Sequence, residues 1–336
     1  MPEVRIQPVE KKSIKKNEWI LIYVKGIAMG AVELIPGVSA GTLAFITGIL
    51  PRLLNALKNF NLTAFKKLHR EGIKATWVYI DGNFLVVLFL GLVSGFALLI
   101  QAITFALAEY PIFIWSFFCG LIFGSSIWLA RQIGQWKRFD VIAMFLLGTS
   151  FAYYITVASP TYISLTPVNV FLGGMFAICA MILPGLSGSF MLMLFGMYTP
   201  ILDAVKAFNF EVIATFMAGA SIGILGFSHI LSYLFKRFPI QLYALLTGIM
   251  LGSLNRIWPW SQVLEFGINS HGEPVPILLQ SISPSHYQAL TGNDPYVAYA
   301  ILCAAIGLLS VLLLSRLEGL MSVTAELKSD SNQEAR

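Results

Sequence analysis

Charge is what this sequence has least of. Of its 336 residues only 12% are Asp, Glu, Lys or Arg, while 57% are hydrophobic. A soluble domain carries about 25% charged residues, so an ordinary water-exposed surface is excluded. Histidine is almost missing, with 4 residues (His69, His229, His271 and His286) scattered along the chain. No metal-ligand spacing, nucleophile elbow or nucleotide-type phosphate loop occurs. The sequence therefore offers no catalytic set, no metal site and no cofactor site. Its 3 cysteines, Cys119, Cys179 and Cys303, each lie in an apolar segment without paired spacing. They read as lipid-facing or core fillers rather than a disulfide or metal framework. The net charge of +5 is no nucleic-acid signature either, because the basic residues sit in short clusters between apolar spans.

Long apolar runs are what is present, and stretches of about 20 such residues are transmembrane candidates. The expected fold is an all-α polytopic membrane protein with spans near 83–108, 111–130, 139–158, 211–235, 239–255 and 296–315. Two further apolar regions, near 19–50 and 168–200, are each interrupted by Pro-Gly. A break of that kind costs a helix about 3 kcal/mol or more. Lys11–Lys16 followed by Ile20–Met29 superficially resembles a signal peptide, but no convincing cleavage site follows and the segment is expected to be retained. The expected organisation is a basic cytoplasmic N-terminus (1–18), two membrane repeats (19–160 and 161–317) and a polar tail (318–336).

Lys and Arg placement sets the expected topology. Lys11, Lys12, Lys15 and Lys16 precede the first broken region, and Arg52, Lys58, Lys66, Lys67, Arg70 and Lys74 follow it. With both flanks cytoplasmic, the region enters and leaves on one side as a re-entrant hairpin. Later clusters at Arg131/Lys137/Arg138, Lys236/Arg237 and Arg316 then also fall inside, leaving Lys206 and Arg256 outside. Both termini are expected to be cytoplasmic.

The broken regions are copies. "ELIPGVSAGTLAFITGILPRLLNALKNFN" aligns without a gap on "MILPGLSGSFMLMLFGMYTPILDAVKAFN". Pro36, Gly37, Ser39 and Gly48 match Pro184, Gly185, Ser187 and Gly196. Further on, Gly91, Gly95, Pro111, Gly120 and Gly124 match Gly219, Gly223, Pro239, Gly248 and Gly252. The first half adds a basic segment near 62–82 and the second an outer loop near 259–293. Each half is one re-entrant hairpin plus three spans. Three is odd, so the repeats are expected to be inverted, as in many secondary transporters.

Non-helical backbone at membrane depth is tolerated only inside protein or beside water. At such a break a helix N-terminus offers N–H groups and a partial positive charge, which is anion-binding chemistry. Ser39, Thr42, Ser187 and Ser189 sit where a hydroxyl meets a ligand or caps the turn. Gly37, Gly41, Gly185 and Gly188 let a ligand approach the backbone. The competing reading is tight packing by small residues. Glu33, aligned with Met181, is a carboxylate at membrane depth; it either couples a proton or cation to transport or accepts bonds from the broken backbone. Arg52, aligned with Pro200, is a positive-inside anchor or a phosphate contact. Asp203 reads as an interfacial polar residue, Lys206 and Arg256 as outer cations able to attract an anionic headgroup or as solvated interface residues. His229, aligned with Gln101, reads as a hydrogen-bonded helix contact rather than a proton relay.

The motifs "ELIPGVSAGT…GIL" and "LPGLSGSFMLMLFGMY", with their duplication, resemble the PopT family of bacterial polyprenyl-phosphate transporters over about residues 20–317. The resemblance implies a multi-pass inner-membrane protein that returns undecaprenyl phosphate from the outer to the cytoplasmic leaflet for reuse in envelope synthesis. It carries over Glu33, Pro36, Gly37, Ser39 and Arg52 in the first motif, and Pro184, Gly185, Ser187, Gly188 and Ser189 in the second. The chain departs at Ala40, where the family commonly has a second Gly, and at Leu50-Pro51, where Tyr with a polar residue is common. Expected partners are a polyprenyl phosphate, membrane lipids and a coupling proton or cation, with no nucleic acid. Three alternatives stand beside this: a transporter of a small soluble anion, a membrane-embedded lipid phosphatase, and an assembly scaffold.

Overall fold

The structure, a computed structural model, describes residues 16–33, 40–268 and 274–313. Helices dominate it. The first half contains α1 (Lys16–Glu33), α2 (Ala40–Ile46), α3 (Leu50–Lys58), α4 (Leu62–Tyr79), α5 (Gly82–Glu109), α6 (Pro111–Ile133) and α7 (Phe139–Val157). The second contains α8 (Pro167–Ile182), α9 (Gly188–Leu194), α10 (Tyr198–Lys206), α11 (Phe210–Arg237) and α12 (Pro239–Ser253). A 3-10 turn, Leu254–Ile257, leads to an antiparallel ribbon of β1 (Ser261–Ile268) and β2 (Pro274–Ser281). Then come α13 (Pro284–Thr291) and α14 (Val297–Leu313). Among the described residues α5, α6, α7 and α11 are long and apolar enough to cross a membrane, and α8 and α14 are shorter apolar helices. Large side chains such as Phe89, Leu98, Phe105 and Leu313 point outward, a surface stable against lipid tails rather than water. The chain is a multi-pass α-helical membrane protein.

Punctuation in the sequence sets where the helices begin and end. Pro111 and Pro239 each occupy the first turn of a helix, where a missing N–H costs nothing. The residues before them adopt almost the same backbone angles: φ −131°, ψ 47° at Tyr110 and φ −134°, ψ 51° at Phe238. Aligned Asn61 and Asn209 cap α4 and α11, their side chains accepting from Thr63 and Ala64 N–H and from Val212 N–H respectively. The extra segment near 259–293 holds the ribbon and α13, and the basic segment near 62–82 is α4, kinked at Gly72 with φ 82°.

Packing repeats in the same register as the sequence. Gly91 of α5 abuts the Tyr23 carbonyl of α1, and aligned Gly219 of α11 abuts the Phe171 carbonyl of α8. Gly26 meets the Leu88 carbonyl as Gly174 meets that of Phe216. In the other pairs, Gly120 of α6 lies on Ala304 and Gly307 of α14 on Phe117. Matching these, Gly248 of α12 lies on Phe145 and Gly148 of α7 on Leu245. A methyl at any of these glycines would overlap backbone atoms, so small residues bring the helices close. The main core runs through both halves and includes the fully buried Leu50, Leu54, Phe84, Ile122, Leu246, Met250 and Ile257. Phe45 of α2 stacks on Tyr243 of α12 (5.6 Å) and tilts against Phe235 of α11 (6.2 Å), so the first short helix is buried among helices of the second half.

Candidate functional site

Each Pro-Gly interruption in the sequence is followed by a two-turn helix, α2 or α9, and then by a second bend. Gly48 (φ 68°) and Gly196 (φ 65°) make the second bend in the left-handed region, where glycine has no Cβ penalty. From α9 to α10 the axis turns by 108°. Thr161 and Ile163 donate N–H bonds to the Leu194 and Phe195 carbonyls (2.7 and 3.2 Å). The chain thus leaves the second hairpin beside the segment that leads into it.

The motifs meet directly. Thr42 is fully buried, and its Oγ1 accepts the Gly185 N–H at 2.9 Å. One residue earlier, a Cβ on Gly41 would lie 2.6 and 2.7 Å from the Met181 and Ile182 carbonyl oxygens. Gly185 has φ 85°, and a Cβ there would lie 2.9 Å from Ser253 Oγ and 3.0 Å from Met250 Cα at the end of α12. Position 185 is therefore closed to side chains by both conformation and space. Gly188 abuts the Ala177 carbonyl, at 2.5 Å from a Cβ built on it. Buried Ser187 is the N-cap residue of α9, but its hydroxyl makes no capping bond and instead lies 2.9 Å from Ser189 Oγ.

Glu33 ends α1 and accepts the Ala40 N–H through Oε2 at 3.0 Å, one of the two roles expected of it. Lys25, two turns earlier, donates to the Thr47 carbonyl at 2.6 Å. A carboxylate thus stands at the N-terminal end of α2 and an ammonium at its C-terminal end, the arrangement that complements a helix dipole. Arg52 forms a bidentate pair with Asp81, 2.7 Å from Nε to Oδ2 and 3.0 Å from the terminal nitrogen to Oδ1, and lies 4.2 Å over the Phe84 ring. His229 bonds the Leu225 carbonyl at 2.8 Å, a helix contact. Arg256 lies 4.4 Å over the Phe190 ring of α9.

Of the expected site residues, Gly41, Thr42, Gly185, Ser187, Gly188 and Ser189 converge on the meeting of α2 with the second break. Glu33 touches the same region through Ala40, whereas Arg52 is engaged with Asp81. Gly37 and Ser39 lie outside the described residues. Sequence reasoning passed over Lys25 and Asp81; a lysine inside the apolar run after Trp19 was a readable signal, while the Asp81 pairing is purely tertiary. Among the described residues no three His, Cys, Asp or Glu side chains gather as metal ligands. Backbone N–H groups, paired hydroxyls and nearby arginines suit an oxyanion.

Comparison with known proteins agrees on one lineage. The undecaprenyl phosphate translocase-like family matches residues 29–275. A polyprenyl-phosphate transporter of Vibrio cholerae serotype O1 is 43% identical over 296 residues, 88% of this chain and 96% of that protein. A polyprenyl-phosphate transporter of Staphylococcus aureus is 29% identical over 263 residues, 73% of this chain and 88% of that protein. No solved structure matches the chain.

Proposed function

This chain belongs to the undecaprenyl phosphate translocase-like family, and on that premise we propose that it carries undecaprenyl phosphate, or a polyprenyl phosphate like it, from the outer to the cytoplasmic leaflet of the bacterial inner membrane. It acts as a transporter and not as a phosphatase. Lys and Arg placement supports cytoplasmic termini and an inverted pair of repeats, each re-entrant at its broken motif.

The observation that carries the reading is the bond from Gly185 N–H to Thr42 Oγ1, 2.9 Å long and buried between the two motifs. A backbone N–H at a broken helix inside a membrane protein is an anion donor, and here a hydroxyl oxygen takes the place of a phosphate oxygen. The lipid phosphate exchanges with Thr42 for Gly185 and is gathered by Ser187 and Ser189, while Gly41 and Gly188, against the Met181, Ile182 and Ala177 carbonyls, hold the two motifs close together. Gly37 and Ser39 supply the matching groups from the first motif. A bilayer holds the isoprenoid tail at any depth, so only the headgroup needs a polar path. Arg52 receives the phosphate on the cytoplasmic side, where it must trade Asp81 for the lipid anion. Glu33, which holds Ala40 N–H at 3.0 Å, couples a proton or cation by releasing that bond when neutralised.

Reconstituted vesicles in which headgroup accessibility is followed test this. Parental protein speeds the exchange of polyprenyl phosphate across the bilayer, and Ser39→Ala, Ser187→Ala and Arg52→Ala slow it. Flipping at the parental rate in all three variants removes the proposed site. Competition by soluble phosphate would point instead to a small anion as cargo.

A further inference from the structure

The second break holds a cation to which the proposed phosphate path gives no role. Arg256 lies in the turn Leu254–Ile257 that follows α12, and its guanidinium carbon sits 4.4 Å from the centre of the Phe190 ring. Phe190 is the neighbour of Ser189, whose hydroxyl lies 2.9 Å from that of Ser187. Three residues before Arg256, the buried Ser253 reaches the other side of the same break, against Gly185. The turn is anchored there, since Ile257 is fully buried and Phe190 nearly so. Arg256 is thus fixed beside the bend that carries the hydroxyls, rather than out in the loop that follows.

An arginine half-buried beside a broken helix of a membrane protein is costly and is commonly kept for function. Its planar fork matches the oxygens of a phosphomonoester, which an ammonium does not. The first repeat has Trp128 at the aligned position, so the cation is a property of the second break alone. Arg52 over Phe84, at 4.2 Å, and Arg237 over Phe238, at 5.7 Å, are likewise held on aromatic faces. We propose that Arg256 binds the lipid phosphate at the second break, its guanidinium contacting the anion beside Ser187 and Ser189 and setting the preference for a charged headgroup. This rests on the proposed transport of a polyprenyl phosphate and adds the cation that neutralises it.

The test compares binding of polyprenyl phosphate with binding of uncharged polyprenol of equal length, using the full chain in bilayer discs. Parental protein prefers the phosphate; if it does not, the transport reading itself fails and Arg256 is not at issue. Arg256→Gln lowers that preference by about tenfold or more and leaves polyprenol binding unchanged. A folded Arg256→Gln protein with the parental preference overturns the proposal. Should that variant not fold, Arg256→Lys decides: a drop in preference of about threefold or more at parental thermal stability supports the fork contact, and no drop overturns it. Millimolar inorganic phosphate leaves the lipid in place; displacement would overturn the lipid assignment in favour of a soluble phosphate.

Discussion

Replacing Thr42 with Val tests the join between the two motifs. The variant keeps nearly the same shape and removes the oxygen that accepts Gly185 N–H at 2.9 Å. Thr42 is fully buried, so water cannot take over, and an orphaned buried N–H costs about 1–3 kcal/mol. Thr42→Ser makes the opposite cut: it keeps the oxygen and deletes one methyl, worth about 0.8 kcal/mol plus a small cavity term. The reasoning therefore fixes an order. In thermal melts of detergent-purified protein, Thr42→Val unfolds below Thr42→Ser, and Thr42→Ser lies just below the parent. If Thr42→Ser melts lower than Thr42→Val, the methyl and not the hydroxyl holds the site together, and the contact has been misjudged.

Other substitutions probe separate parts. Gly91→Ala and Gly219→Ala each drive a methyl into a backbone carbonyl at aligned places and should cost similar amounts, about 1–3 kcal/mol. Gly226→Ala, with open space at its Cβ, should be neutral or stabilise by about 0.5–1 kcal/mol; melting of the three proteins side by side checks both statements. Glu33→Gln keeps an oxygen for Ala40 N–H, so its melt stays near the parental one while transport loses its dependence on an ion or pH gradient. Asp81→Asn removes the carboxylate that engages Arg52. Because that pair is partly solvent-exposed and worth at most about 1 kcal/mol, stability barely moves, and phosphate-lipid affinity rises several-fold in a binding titration.

Much of the architecture was legible in the sequence because it is written in local features. Apolar runs bounded by Pro111 and Pro239 gave the spans, since proline at a first helical turn is a local signal. The Pro-Gly at 184–185 falls between α8 and α9, that at 36–37 lies outside the described residues, and the aligned glycines Gly91 and Gly219 sit at close helix crossings that recur in register. What escaped reading is tertiary. Arg52 gave no sign of its partner, because Asp81 lies 29 residues away and meets it only once α3 and α5 pack. Arg256 was legible as a cation near an anionic headgroup, but its place over the Phe190 ring of α9 is a tertiary contact. The Thr42–Gly185 bond joins residues 143 apart, and nothing near either residue announces it. Lys25 was visible and was passed over; its meaning appears only when the Thr47 carbonyl is found at the other end of α2.

A structure of the full chain in bilayer discs with polyprenyl phosphate bound tests the central claim most directly. The account predicts the phosphate at the second break, its oxygens on Gly185 N–H and the Ser187 and Ser189 hydroxyls, with the Thr42 hydroxyl displaced from Gly185. Phosphate bound away from both broken motifs, with the Thr42–Gly185 bond intact, would contradict it.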